Sequence, residues 1–406
     1  MVNIAVLGYG TVGSGVVEVI RTNGKQINRR IGNELNIKYV LDLREFPDDP
    51  VSDVLVHDYA KIIDDPEVDI VVEVMGGIEP AYTFVKTALE RGKCVVTSNK
   101  ELVAKHGAEF LSMAKIRNIN FLFEASVGGG IPIIRPINSS LTADIIEEIT
   151  GILNGTTNYI LSKMYFDGAD YDEVLRDAQA KGYAERNPEA DVEGFDACRK
   201  IAILSSLISG QQVDYEDIYT EGITEITSRD ISYARKLGMQ IKLLASSKRD
   251  EDSLSAIVAP FLLDREHPLY GVNDVYNAIF IHGKFLGDAM FYGQGAGKYP
   301  TASAVVADVV DAAKHLHRNI MTMWEERKLT LVDSGSVERR FFVRLSGNGE
   351  EQLENIRQCF GSVQFVDAGY GDETAFITPV MTEDIYRQKV ADISGIIHMI
   401  RVEEPR

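Results

Sequence analysis

Over residues 1–130, short runs of wholly apolar residues alternate with amphipathic stretches. Asn3 to Leu7 (NIAVL) reads as a buried strand and Ile37 to Leu43 as a second. Val68 to Met75 (VDIVVEVM) is a third, Lys93 to Ser98 (KCVVTS) a fourth and Asn120 to Val127 a fifth. Helical spacing appears in VVEVIR after the first strand, and again over 79–91 and 100–117. Strands alternating with helices, joined by right-handed crossovers, predict an α/β fold with a doubly wound parallel sheet of the Rossmann type.

The pattern then changes. Ile146 to Leu153 reads as a strand ending in Asn154-Gly-Thr-Thr-Asn158, before the helix YILSKMY and a further helix over 171–181. An apolar helix begins near Phe195, and between 240 and 297 the runs IKLLASS, SLSAIVAPFLL and NAIFIHG are strand-like. The glycine-rich turn Gly293 to Thr301 opens the helix SAVVADVVDAAKH, over about 300–320, which completes the first domain and lets the turn close over a ligand there. Residues 131–299 are thus an α+β domain of a kind that often carries the dimer contact. After the polar linker LVDSGSVE, residues 338–406 read β-α-β-β-α-β, the ferredoxin-like split unit, as a separate small module for regulation or assembly.

Composition narrows the partners. Apolar content of 45% and charged content of 25% describe an ordinary globular protein. The net charge of −19 argues against nucleic acid or an anionic membrane as partner. Cys94, Cys198 and Cys359 form no CxxC, so free thiols in a reducing compartment are expected, without zinc. With no leader-like start and no apolar run near the roughly 20 residues of a membrane span, a cytoplasmic location is expected.

The first strand runs into Gly8-Tyr-Gly10-Thr-Val-Gly13 and then a helix. In that context Gly8 permits the tight turn, Gly10 lets backbone approach a pyrophosphate, and Gly13 lets helix pack on strand. The end of the second strand carries two opposed signals. Asp42 suits the ribose 2′-hydroxyl of NAD, and Arg44 suits the 2′-phosphate of NADP. Gly76, Gly77 and the Ser98–Lys100 turn belong to the same crevice, beyond the strands' carboxyl ends. Ser98 at N-cap and Glu101 at N3 would form a capping box that sets Lys100 in the first helical turn. The dipole disfavours a cation there. A lysine pointed into the crevice would have its pKa lowered towards proton-transfer range; the plainer alternative is a solvated side chain.

Three glycines, Gly128 to Gly130, precede Ile131-Pro132. Their exposed carbonyls and nearby Glu124 offer oxygens to a hard cation, although the residues alone favour an interdomain turn. The densest chemistry lies in GYAERNPEADVEGFDACRK, residues 182–200, with Glu185, Asp191, Glu193, Asp196, Arg199 and Lys200. Asp196 and Lys200 share one helix face. An exposed pair of this kind contributes only about 0.3–0.5 kcal/mol. Ile201 to Ile208 is too apolar for an exposed helix, however, and a buried pair is costly without further partners. This stretch is the candidate substrate site.

Together these segments give the chain a resemblance to the homoserine dehydrogenases over about residues 1–315. It rests on GYGTVG, VVEVMGG, TSNKELVAKHG, FEASVGGGIP, GILNGTTNYIL, GYAERNPEADVEGFDACRKIAIL and GQGAGKYPTASAVVADVV. The resemblance implies NAD- or NADP-dependent interconversion of L-homoserine and L-aspartate 4-semialdehyde, in threonine, methionine and isoleucine biosynthesis, by a homodimer or homotetramer. It implies that Lys100 and Lys200 transfer the proton and that Asp196 orients substrate and Lys200. Glu185 and Asp191 would hold the amino-acid end, and Asn154 to Thr157, with Gly155 and Thr156 among them, would line the substrate site. The cofactor would lie on Gly8, Gly10, Thr11, Val12, Gly13, Arg44, Gly76, Ser98, Lys100 and Gly297. A monovalent cation, sodium or potassium, would be held by oxygens of Glu124, Val127, Gly129 and Ile131. Leu41 stands where family members commonly carry Arg or Lys, which leaves Arg44 as the nearby phosphate partner. The tail resembles the ACT module through which many such enzymes answer to threonine, an amino-acid effector. It departs from that module in following its first strand with SGNGEEQLENI in place of an Asp-x-Pro-Gly-Val-Leu-like turn.

Two rivals make different demands. An aspartate-semialdehyde dehydrogenase needs a thiol nucleophile in the crevice, yet Cys94 falls inside a strand and Cys198 between Asp196 and Lys200. A non-catalytic nucleotide-sensing regulator needs neither two lysines nor three acids in its crevice.

Overall fold

The computed structural model describes residues 1–251, 253–321 and 324–404; the last two residues of the tail, 405 and 406, lie outside them. The first sheet is parallel, with strands β1 (Val2–Leu7), β2 (Leu35–Leu41), β3 (Leu55–Val56), β4 (Ile70–Glu73), β5 (Cys94–Thr97) and β6 (Phe121–Leu122) in the order β3-β2-β1-β4-β5-β6. The order reverses between β1 and β4, so the crevice opens beyond Leu7 and Glu73. Every residue of β4 and β5 is buried, as the unbroken apolar runs require. Helices α1 (Thr11–Ile31), α2 (Ala60–Ile63), α3 (Ala81–Glu90) and α4 (Lys100–Ile116) connect these strands. β3, two residues long, is too short to register as an apolar run. The fifth expected strand is curtailed because Glu124–Ser126 curls into a 3₁₀ turn.

The second sheet begins with β7 (Ile146–Ile152), which leads to α5 (Gly155–Asp167), α6 (Tyr171–Ala180), α7 (Glu189–Val192) and α8 (Phe195–Ser209). The short strands β8 (Gln211–Gln212) and β9 (Tyr219–Thr220) and helix α9 (Ser228–Leu237) follow. Then come β10 (Gln240–Asp250), β11 (Ser253–Leu263), β12 (Tyr276–Gly283) and β13 (Gly287–Gln294). β13 alternates half-buried with exposed residues and carries no apolar run, which is why the hydrophobic pattern did not announce it. α10 (Lys298–Lys314) returns to the first domain and packs on α1, where a Cβ on Gly15 would lie 3.0 Å from that of Ala302. β14 (Glu325–Lys328) pairs with β8 on the way to the tail.

The tail holds β15 (Glu338–Ser346), α11 (Glu350–Phe360), β16 (Gln364–Val366), β17 (Glu373–Ile377), β18 (Met381–Thr382), α12 (Glu383–Val390) and β19 (Ile396–Glu403). The order β19-β15-β17-β16 is that of a split βαββαβ unit. The expectation that it stands apart is corrected. β19 pairs in parallel with β11 at Phe261–Leu263, and one sheet runs from β13 to β16. Buried cations seal the junction. Arg344 on β15 reaches Asp230 on α9 at 2.7 Å and Glu373 on β17 at 2.9 Å, while Arg401 on β19 reaches Glu221 at 2.7 Å and Glu383 at 2.9 Å. Breaking any of these would strand a buried charge. No described helix is long and apolar enough to cross a membrane.

Candidate active site

The crevice is built for a dinucleotide. Gly8 has φ +98°, and a Cβ on Gly13 would sit 1.9 Å from the Gly8 carbonyl, so neither position tolerates a side chain. A Cβ on Gly10 would meet nothing within 4 Å, which leaves open space over the loop. Gly10 caps α1 without a side-chain bond, and the first turn carries no acid, so the N–H groups around Thr11 and Val12 are presented to an anion. Asp42 accepts from Tyr9 N–H at 2.8 Å and grips Arg44 through Nε and Nη2, both at 2.9 Å. The Arg44 guanidinium lies over the Phe46 ring, with its side chain mostly exposed.

Across the crevice, fully buried Glu73 accepts from the N–H groups of Met75 and Gly76 and from the Thr97 hydroxyl at 2.5 Å, bracing the Gly76–Gly77 turn. Burial pushes its carboxyl pKa up against those hydrogen bonds. The N-cap of α4 is Asn99, whose side chain accepts from Leu102 N–H, and not Ser98. An amide one residue later reaches the N3 donor, which makes Lys100 the first helical residue. Ser98 remains in the turn, its N–H on the Glu73 carbonyl.

Lys100, Asp196 and Lys200 come together from two domains. Asp196, second residue of α8, binds Lys100 through Oδ1 and Lys200 through Oδ2, the latter at 2.7 Å. Lys200 also donates to the Leu153 carbonyl at 2.8 Å. Asn154 caps α5 and donates from the same amide nitrogen to Asp191 at 2.7 Å and to Asp196 at 3.0 Å. Side-chain exposure separates the lysines: 38% for Lys100 and 10% for Lys200, with Asp196 at 4%. Burial alone would raise the Asp196 pKa, but Lys200 and Lys100 hold it well below the carboxylate range. Burial lowers Lys200 despite Asp196. Lys100 moves the other way: burial would lower it, yet Asp196 raises it above the ordinary lysine value. The expected lowering by the helix dipole is therefore corrected, because a full charge in contact outweighs a half charge at a helix end. Asp191 is raised by burial and by neighbouring Asp196.

The remaining predicted residues divide. The Thr156 hydroxyl donates to the Tyr183 carbonyl at 2.7 Å, tying α5 to the loop over 182–188. Gly155 lies too close to the Val275 carbonyl, 2.8 Å from an added Cβ, to carry a side chain. Glu185 stays exposed, and its carboxylate joins no hydrogen bond among the described residues. Gly297, at φ +118°, opens α10, where Lys298 and Tyr299 bind Glu18 of α1 at 2.8 and 3.0 Å. The hinge packs on this turn: a Cβ on Gly129 would lie 2.2 Å from the Gly295 carbonyl. The Glu124 carboxylate is engaged by backbone donors. It accepts from the N–H groups of Ile133, Ile134 and Arg135 at 2.6, 2.8 and 2.7 Å. Among the described residues, no three His, Cys, Asp or Glu cluster as metal ligands. The carbonyls of Val127, Gly129 and Ile131 accept no protein hydrogen bond there. Cys94 and Cys198 are buried and their thiol pKa values raised by burial, the opposite of a nucleophile's requirement.

A Rossmann crevice facing a lysine–carboxylate–lysine cluster, with the thiols buried away, defines a pyridine-nucleotide dehydrogenase acting on an alcohol or aldehyde. The family model for homoserine dehydrogenase matches residues 132–310, and that for the homoserine dehydrogenase NAD-binding domain matches residues 8–124. The chain is 43% identical to a homoserine dehydrogenase of Bacillus subtilis over 79% of this chain and 74% of that one. It is 36% identical to one of Neisseria gonorrhoeae over 98% and 92%. A solved homoserine dehydrogenase from Thiobacillus denitrificans superposes with TM-score 0.90 at 35% identity, covering 99% and 98% of the two chains. A hyperthermophilic archaeal homoserine dehydrogenase in complex with NADPH superposes at 0.66 with 29% identity, covering 77% and 97%. The chain belongs to the homoserine dehydrogenase family, and its activity is that of EC 1.1.1.3, the NAD(P)-dependent interconversion of L-homoserine and L-aspartate 4-semialdehyde in amino-acid biosynthesis.

Proposed function

We propose that the reaction takes place in the cleft between α4 and α8, with Lys100 exchanging the proton and Asp196 and Lys200 holding it in place. The observation that carries this is one buried carboxylate shared by lysines from two domains. The nicotinamide, when bound, accepts or donates the hydride. The protein's part is to hold the reacting carbon and move one proton. In aldehyde reduction the Lys100 ammonium gives its proton to the carbonyl oxygen as that becomes a hydroxyl. In alcohol oxidation neutral Lys100 takes the hydroxyl proton. Lys200, expected to share the proton transfer, is less exposed and bonded to two acceptors, and in this reading it keeps Asp196 ionised behind Lys100. Asp191 and Glu185 attract the substrate ammonium. The α5 N-terminus at Gly155 and Thr156 takes its carboxylate.

Arg44, pinned by Asp42 with its guanidinium exposed, favours a 2′-phosphate and hence NADP over NAD. The free carbonyls of Val127, Gly129 and Ile131, with that of Glu124 and not its carboxylate, suit sodium or potassium. The tail is an ACT-like module suited to an amino-acid effector. The edge strand β13, with exposed Met290 and Tyr292, is where we place the contact between two subunits.

The test is to follow NAD(P)H absorbance with homoserine and with aspartate semialdehyde. NAD and NADP would be compared with and without potassium or sodium, and with and without threonine. Turnover that is unaffected by replacing Lys100 would end the proton-transfer assignment.

A further inference from the structure

The one tryptophan of the chain, Trp324, lies in the connector between α10 and the tail, directly before β14, and is 1% exposed. Its indole lies against α4 at Gly107, where an added Cβ would come within 2.4 Å of the ring. It meets Phe123 edge-on at 5.7 Å. Its N–H donates to Gln212 Oε1 at 2.8 Å, and Gln212 Nε2 donates to the Ala104 carbonyl of α4 at 3.0 Å. Gln212 belongs to β8, just past the C-terminal end of α8. The adjoining β14 is anchored to β8, with Lys328 on Asp214 and Asp217, each at 2.8 Å.

Helix α4 therefore meets the second domain at both ends of α8: through Lys100 and Glu101 at its N-terminal part, and through Ala104 and Gly107 near its C-terminal end. The buried face of α4 fixes it on its own sheet, and the contact at Ala104 and Gly107 adds a second anchor on the side that faces α8 and β8. We propose that Trp324 and Gln212 are positioning residues for the reaction, clamping α4 so that Lys100 is held at the depth where it meets Asp196. This rests on the reading of Lys100 given above. The groups facing Lys100 are Asp196 and Lys200 of α8, Asp191 of α7 and Glu101 of its own helix, the last paired with Arg199.

The experiment compares Trp324→Phe, Gln212→Met and Gln212→Glu with the parent. Gln212→Glu keeps the acceptor for the indole and loses the donor to Ala104. Circular dichroism and melting establish that each is folded. Gln212→Met and Trp324→Phe are expected to lower kcat roughly 10- to 100-fold, with KM for homoserine little changed. The Lys100 limb of the pH profile should move to lower pH, because Asp196 no longer holds the ammonium as closely. Gln212→Glu should fall with Gln212→Met if the Ala104 bond is the working one. Adding Gln212→Met to Lys100→Ala should cost nothing more. Parental kcat and pH profile in folded Gln212→Met and Trp324→Phe would overturn the clamp, as would losses additive with Lys100→Ala. An active Lys100→Ala would instead overturn the proton-transfer reading on which it rests.

Discussion

Asn154 spans the two acids of the substrate stretch, its amide nitrogen 2.7 Å from Asp191 and 3.0 Å from Asp196 while its oxygen caps α5. One residue at a strand end thereby sets the carboxylate that the lysines share. Removing either lysine should separate their roles. Lys100→Ala should lower kcat by about 10²–10⁴ and cost less stability than loss of Lys200, since its side chain is more exposed and Asp196 keeps Lys200 and Asn154 as partners. Lys200→Ala should lower kcat comparably and also destabilise the fold, by about 3–5 kcal/mol at most, because it takes a partner from buried Asp196. Steady-state kinetics and urea titration on each variant check this, and a fully stable Lys200→Ala would contradict the second half.

The pH dependence of the same site has a definite sign. Asp196 raises Lys100, so Asp196→Asn should let the Lys100 pKa fall. Aldehyde reduction, which needs the ammonium, should then decline at lower pH than in the parent. Rate profiles in both directions test this.

Gly10 and Gly13 should respond oppositely to alanine. Gly13→Ala drives a methyl into the Gly8 carbonyl and should destabilise the fold by about 1–3 kcal/mol. Gly10→Ala meets no protein atom, so melting should be unchanged while the cofactor KM rises. Thermal denaturation alongside cofactor titration distinguishes them.

Arg44→Ala should weaken kcat/KM for NADP by roughly 10- to 100-fold, the loss of one charge-assisted bond of about 1.5–3 kcal/mol, and leave NAD nearly untouched. Equal losses for both cofactors would place the 2′-phosphate elsewhere.

Asp230 makes the junction with the tail acid-sensitive. Burial would raise its pKa, but His398 and Arg344 hold it down at about 2. A depressed carboxylate stabilises the fold above the unfolded value near 3.9 and loses that contribution as pH falls towards 2. The amount is about 2–3 kcal/mol. Asp230→Asn should be less stable at neutral pH and show a flatter decline between pH 4 and 2, as melting across that range would reveal.

What the sequence determined by itself is what neighbouring residues decide among themselves. The unbroken valine runs required buried strands, the Gly8–Gly13 spacing required a tight turn into a helix, and the four-residue interval placed Asp196 and Lys200 on one face. Recognisable segments carried the family reading and named most of the candidate site. The tertiary structure decided whatever depends on groups far apart in the chain, since their meeting is set by packing and not by any local preference. Lys100 and Asp196 are 96 residues apart, and only their contact reversed the expected pKa direction. The Glu124 carboxylate met three backbone N–H groups nine to eleven residues on, which no spacing rule foretold. β19 joined β11 because an edge strand with unpaired backbone groups takes the partner that packing brings alongside. Trp324 found Gly107 for the same reason: a flat ring fills the one place on α4 where a side chain is missing.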